Sequence, residues 1–182
     1  PPRSTLFPYT TLFRSYTQED LLALFQCNDL KIRGFFENSH IRQRHLVLPE
    51  PDENGIPRDE DGTALLAKHL NYSRIVGGQA IEKCLAARAL SPADIEVLIT
   101  VTSTGFLCPS LSAQLAPELG FQPNLKRIDI VGMGCNAAVN GLMTAAQYAM
   151  AAPQKRALLL ACEICSARSE ERRVGKECRY RW

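Results

Sequence analysis

The residues most able to do chemistry lie in the run Ile128-Asp129-Ile130-Val131-Gly132-Met133-Gly134-Cys135-Asn136-Ala137-Ala138. An apolar strand ends there, glycines permit a tight turn, and a cysteine opens an apolar helical stretch. The start of a helix offers unpaired backbone amides and a partial positive charge, and both favour thiolate over thiol. A thiolate held at such a turn could attack a thioester carbonyl and carry the acyl group. Spacing alone leaves a second reading open, in which Cys135 is a buried packing residue. Glycines before a helix also suggest a phosphate loop, but no Gly-Lys-Ser/Thr is present, so that reading fails.

The chain has seven cysteines. Cys84, Cys108, Cys135, Cys162 and Cys165 sit inside apolar stretches, where a thiol is expected to pack as a small buried hydrophobe. Cys162 and Cys165 have the spacing of a redox or zinc pair. No second pair stands at ligand spacing and the histidines all lie far upstream, so no metal site is expected. His40, His45 and His69 are expected on the surface or in loops.

The elements that must position Cys135 follow from periodicity. Thr17 with Asp20 three residues on reads as a helix N-cap, followed by Leu21, Leu22, Leu24 and Phe25. A second short helix is expected over 30–38 and an extended segment over 41–48, before a loop over 49–62 rich in Pro, Asp, Glu and Gly. Apolar residues then recur at helical spacing over 63–90. After the turn Ser91-Pro92-Ala93-Asp94, the β-branched run 95–101 reads as a strand covered on both faces. A helix over 110–119, a strand over 126–131, a helix over 137–152 that is apolar almost all round and therefore expected to be buried, and a strand over 157–162 complete the order. Alternating strands and helices imply an α/β layered fold with a central helix under cover.

No apolar run is long enough to cross a bilayer; the best candidate, 137–152, is broken by Asn140, Thr144 and Gln147. No apolar stretch precedes a cleavage site near the start, so the expected compartment is the cytoplasm. Residues 1–15 carry two Arg and no acid, and residues 168–182 carry six basic and three acidic groups. Of the chain's 21 basic and 19 acidic residues, 13 and 16 therefore remain over 16–167, so the body is mildly acidic. A nucleic-acid partner would need a basic face there, and none is expected. The two ends continue neither neighbouring pattern and resemble peptides translated from sequencing-adaptor DNA. They are set aside as artefacts, and the domain is expected to occupy 16–167.

With these elements in place a family becomes recognisable. Val101-Thr102-Ser103-Thr104-Gly105-Phe106-Leu107-Cys108-Pro109-Ser110-Leu111-Ser112 resembles the strand and loop that precede the nucleophile in type III polyketide synthases, the chalcone synthase-like branch of the thiolase superfamily. Gly120-Phe121, Lys126-Arg127 and the following strand and Gly-Cys keep that family's spacing. Ile41-Arg42-Gln43-Arg44-His45-Leu46-Val47-Leu48-Pro49 and Leu160-Ala161-Cys162-Glu163-Ile164-Cys165-Ser166 extend the resemblance over nearly all of 16–167. Gly55-Ile56-Pro57-Arg58, Leu66-Ala67-Lys68-His69 and the run around Cys135 narrow it to a bacterial branch that builds its product from malonyl-CoA units.

The resemblance implies the N-terminal half of a thiolase fold with a mixed sheet, and decarboxylative Claisen condensation on a Cys135 thioester. It places Ser103, Thr104, Cys108 and Met133 at the substrate pocket. Cys108 falls where many relatives have a Met that reaches across a dimer interface, a reach that Cys shortens. Lys31, helped by Arg33, matches a basic position that binds CoA. CoA thioesters enter as substrates, no further cofactor is implied, and a homodimer is. Ketoacyl-carrier-protein synthase III and hydroxymethylglutaryl-CoA synthase share the fold, but the run 104–110 favours the polyketide family. A different class of reading is a non-catalytic remnant. The family's His and Asn, which stabilise the enolate and oxyanion, fall far downstream of the nucleophile. Only 47 residues follow Cys135, and half a thiolase fold leaves the helix over 137–152 under-covered. The 182-residue chain is therefore expected not to turn over malonyl-CoA. Release of labelled CO2 above the uncatalysed background would contradict this.

Overall fold

The computed structural model describes residues 13–58 and 60–167. Residues 1–12 and 168–182, which include most of the expected artefacts, lie outside the described residues. Two compact units are present, one running to Thr63 and one from Ala64 to Ala167.

In the first unit, strand β1 (Arg14–Thr17) pairs antiparallel with β2 (Gln43–Leu46), with Tyr16 opposite Arg44. Ordered pairing thus starts at Arg14, two residues before the expected domain start, because a ladder needs backbone groups rather than a side-chain pattern. Helix α1 (Gln18–Leu24) opens on the expected capping box: Asp20 N–H donates to Thr17 Oγ1 at 3.0 Å and Thr17 N–H to Asp20 Oδ2 at 2.7 Å. Helix α2 (Leu30–Glu37) is capped by Asp29, which accepts from the Lys31 and Ile32 amides. Gln18 ties these pieces together by donating to Ser39 Oγ at 2.7 Å and accepting from Arg44 Nε at 3.2 Å.

The second unit is built on a three-stranded parallel sheet in the order β4-β3-β5. Its strands are β3 (Val97–Thr102), β4 (Lys126–Val131) and β5 (Ala157–Ala161), joined by α4 (Leu111–Glu118) and α5 (Ala137–Ala151). Parallel and antiparallel pairing both occur, as a mixed sheet requires, but in separate sheets among the described residues. Every residue of β3 is buried, as the largely apolar, β-branched run implied. Helix α3 (Gly62–Ala86) ends four residues earlier than its periodicity suggested. Ala89 turns left-handed at φ +52° and the Leu90 amide closes back on the Leu85 carbonyl at 2.9 Å, which stops the helix.

Alternate residues of a strand face opposite ways, so two helices on adjacent residues must lie on opposite faces. A Cβ at Gly77 of α3 would stand 3.0 Å from Leu160, whereas one at Gly141 of α5 would stand 2.8 Å from Leu159 and 2.9 Å from Val101. The sheet therefore lies between α3 on one side and α5 on the other, with α4 sharing the α3 side through Leu115.

Helix α5 corrects an expectation. Only Ala137 and Gly141 are buried, while Leu142 is 62% and Met150 81% exposed. Contact with β3 and β5 covers one stripe, and the remaining apolar faces point to solvent, the under-covering that the resemblance implied. Gly141→Val would drive a branched side chain into Val101 and Leu159, and is expected to cost about 1–3 kcal/mol. Thermal or urea unfolding reads this directly; an unchanged midpoint would show that α5 does not seat closely on the sheet.

Candidate active site

The end of β4 is shaped by glycine. Gly132 N–H donates to the Thr102 carbonyl at 3.2 Å, carrying the β3–β4 ladder one residue past Val131. Gly132 and Gly134 then take φ +76° and +72°, left-handed values that other residues avoid. The space above Gly132 is also taken: a Cβ there would meet the Phe106 ring at 3.0 Å. Gly134–Asn136 forms one 3-10 turn, and α5 starts at Ala137. Cys135 is exposed in the middle of this turn. Asn136 makes no side-chain bond to the helix amides, so the first turn of α5 has no side-chain cap competing for its N–H groups.

A second loop holds this turn. Gly134 N–H donates to Ser103 Oγ at 3.0 Å. Ser103 is fixed in its turn by Glu163, whose carboxylate accepts the Ser103 amide at 2.8 and 2.9 Å and the Thr104 amide at 2.9 Å. Charged acceptors make such bonds stronger than neutral ones. The ends of all three strands are thus joined: β5 through Glu163, β3 through Ser103, β4 through Gly134.

The sequence-derived candidates separate on this framework. Ser103 is bonded to the Cys135 turn, and Met133 immediately precedes that turn and is half exposed. Thr104 is buried, and its hydroxyl is engaged by the Ile164 amide at 2.9 Å and by His69. Cys108 is exposed further along the same loop. Lys31 and Arg33 lie on α2 in the first unit; Lys31 is exposed, and Arg33 lines an open depression with Glu19, Gln26 and Asn28.

Two expectations are corrected. Of the five cysteines expected inside, only Cys162 is buried, and burial together with the Glu163 charge pushes its thiol up to about 12. The others sit in apolar stretches of sequence but on outward faces. His69, expected at the surface, is 0% exposed and lies under the β3 loop. A Cβ on Gly105 would stand 2.3 Å from its ring, so the loop backbone rests directly on the imidazole. Burial lowers its pKa, opposed by the Glu163 charge. A signal for it existed: Leu65, His69, Ser73, Gly77, Ile81 and Leu85 recur every four residues, and all are buried.

Asp129 was also missed as a framework residue. It projects from β4 and accepts from Thr100 Oγ1, Ser110 Oγ at 2.9 Å, Ser112 N–H at 3.1 Å and Ser112 Oγ at 2.6 Å. An acid flanked by Ile128 and Ile130 in a strand was the available sign. Among the described residues no group of three or more His, Cys, Asp or Glu could hold a metal ion, and no helix is long and apolar enough to cross a membrane.

Comparison with known proteins bears on the family and the fold. The family described as FAE1/Type III polyketide synthase-like protein matches residues 54–175. The 3,5-dihydroxyphenylacetyl-CoA synthase of Streptomyces toyocaensis is 40% identical over 169 residues, covering 92% of this chain and 43% of the relative. The Amycolatopsis balhimycina protein of the same name is 42% identical over 153 residues, covering 84% and 41%. These represent the bacterial branch indicated by the sequence. The solved 1,3,6,8-tetrahydroxynaphthalene synthase of Streptomyces coelicolor A3(2), a bacterial type III polyketide synthase, superposes with a TM-score of 0.75 at 29% identity, over 84% of this chain and 45% of that one. The chain spans less than half the length of the curated relatives it matches.

The Asp129 cluster has a pH signature. Burial pushes the carboxyl up, but the bonds from Ser112, Thr100 and Ser110 outweigh it and hold the group below its ordinary 3.8. A carboxyl depressed in the folded state contributes stability that is fully present above its unfolded pKa and lost as pH falls through the folded one. Asp129→Asn should cost about 1–3 kcal/mol at neutral pH by leaving hydroxyl donors unpartnered. It should also flatten the loss of stability below about pH 4. Unfolding midpoints measured across that range decide it, since equal slopes in both proteins would exclude Asp129 as the source.

Proposed function

The chain belongs to the FAE1/type III polyketide synthase-like family, and from that premise we propose that Cys135 is the acyl-carrying nucleophile of a condensing enzyme. The observation that carries the reading is an exposed cysteine in a glycine turn at an uncapped helix start, held by the neighbouring strand loop. In the proposed reaction the Cys135 thiolate attacks an acyl-CoA carbonyl, the carbon–sulfur bond to CoA breaks, and CoA departs as a thiolate that takes up a proton. Malonyl-CoA then loses CO2, and its enolate carbon attacks the Cys135 thioester. The new carbon–carbon bond leaves the extended chain on CoA and returns the Cys135 thiolate.

The similarity to 3,5-dihydroxyphenylacetyl-CoA synthases supports a polyketide product of that type, made from malonyl-CoA or a related acyl-CoA. Ser103 and Met133 would border the acyl group, with Thr104 shaping the wall from behind and Cys108 further along the loop. Lys31 and Arg33 would meet CoA phosphates. In this reading CoA thioesters are substrates, no cofactor takes part, the enzyme is cytoplasmic, and the whole protein works as a homodimer. Relatives are more than twice as long as this chain, so the complete cycle is proposed for the whole protein and acyl loading for the segment in hand.

Incubation with malonyl-CoA or a short acyl-CoA, followed by peptide mass spectrometry, tests the loading step. One acyl group is expected on the peptide bearing Cys135 and none in Cys135→Ala. Equal labelling of Cys84, Cys108 and Cys165 would reduce Cys135 to one exposed thiol among several and sink the proposal.

A further inference from the structure

His69 sits fully buried between two threonines of one tripeptide. Its Nδ1 is 3.2 Å from Thr104 Oγ1 and its Nε2 is 3.4 Å from Thr102 Oγ1. The surrounding donors and acceptors decide which nitrogen carries the proton. Thr104 Oγ1 accepts the Ile164 amide, and Nδ1 is the acceptor that the described contacts offer to its own hydrogen, which assigns Nδ1 as the bare, accepting nitrogen. Thr102 Oγ1 lies 3.5 Å from Glu163 Oε2, an acceptor only, so Thr102 sends its hydrogen there and turns a lone pair toward Nε2. Both ends assign the same neutral tautomer, with the proton on Nε2. An imidazolium would present Nδ1–H to Thr104 and leave a buried hydroxyl hydrogen with nowhere to go.

The tripeptide Thr102-Ser103-Thr104 is thus gripped from two sides. Glu163 holds the amides of Ser103 and Thr104, and His69 holds the hydroxyls on either side of Ser103. The Ser103 hydroxyl, placed between these grips, takes the Gly134 amide next to Cys135. A ring flip would bring carbon atoms against both threonines, and the Gly105 backbone leaves no room for the ring to retreat. We infer that His69 is a positioning residue for the Cys135 turn: buried as the Nε2–H tautomer, it joins Thr102 to Thr104 and thereby sets the serine that holds Gly134. Its use in catalysis rests on the reading of Cys135 as the nucleophile.

The test uses the whole chain and a probe that needs no acyl-CoA. Iodoacetamide labelling, resolved peptide by peptide, reports Cys135 as the site, exposed Cys84 as a reference for reagent reactivity, and buried Cys162 as a monitor of global opening. Cys135 is already exposed, so loosening cannot speed its reaction by uncovering it. Displacement from the helix start is expected to slow it by at least about threefold in His69→Leu. Thr104→Val, which keeps the shape and removes the hydroxyl, should slow it in the same direction if His69→Leu fails to fold. His69→Asn, whose Oδ1 can take the place of Nδ1, should recover part of the rate.

Nitrogen-15 spectra of the unaltered protein should show the Nε2–H tautomer at neutral pH. A Nδ1–H tautomer or an imidazolium, an unchanged Cys135 rate, or a Cys135 change that only follows the opening of Cys162 would each overturn the inference. The two readings fail separately. Loss of acyl transfer to Cys135 with these rates behaving as expected removes the nucleophile and leaves the positioning network. Acyl transfer with unmoved rates does the reverse.

Discussion

Strand β3 carries two threonines into an interior from which water is excluded, and all six of its residues are buried. A hydroxyl in that position costs free energy unless a partner is supplied, so Thr100 and Thr102 dictate what surrounds them. Thr100 meets Asp129 on β4, and Thr102 meets His69 on α3 and Glu163 after β5. Those partners in turn organise what lies beyond them. Asp129 collects Ser110 and Ser112 and so fixes the start of α4, while Glu163 and His69 fix the loop that follows β3. The apolar residues of β3 hold the sheet together, and its polar ones aim the loops.

This arrangement explains how an exposed cysteine can be precisely placed without being packed. The side chain of Cys135 lies in a turn that makes little use of burial. Its position is set by two bonds to the backbone just before it: the Thr102 carbonyl on the Gly132 amide and the Ser103 hydroxyl on the Gly134 amide. Glycine is needed at both places for its left-handed backbone, and at Gly132 also because the Phe106 ring occupies the space a side chain would fill. The nucleophile proposed here is therefore located by a polar framework that reaches back through Ser103 to a carboxylate and an imidazole.

Helix α5 shows the opposite economy. Its stripe against β3 and β5 is made of small residues, with Gly141 allowing close approach, while Val139, Leu142, Met143 and Met150 face outward. An apolar patch of this kind is what a helix covered on both sides would carry. The relatives it matches are more than twice as long as this chain.

Periodicity and capping in the sequence were enough to determine the order of elements from α1 onward, the capping box at Thr17, the bounds of β4, the burial of β3 and the strand–turn–helix around Cys135, because those depend on contacts between near neighbours in the chain, whereas β1 was missed. The family was legible for the same reason, in the unbroken spacing from Val101 to Cys135. Tertiary structure alone decided the facing of each residue against distant ones. It placed His69 inside, turned the Thr104 hydroxyl inward, left Cys84, Cys108, Cys135 and Cys165 outside, and exposed the far side of α5. Residues such as His69 and Glu163 acquire their roles from partners more than thirty and nearly sixty positions away. No local pattern encodes such pairs, since only the packing of α3 against β3 and the parallel pairing of β3 with β5 bring them together.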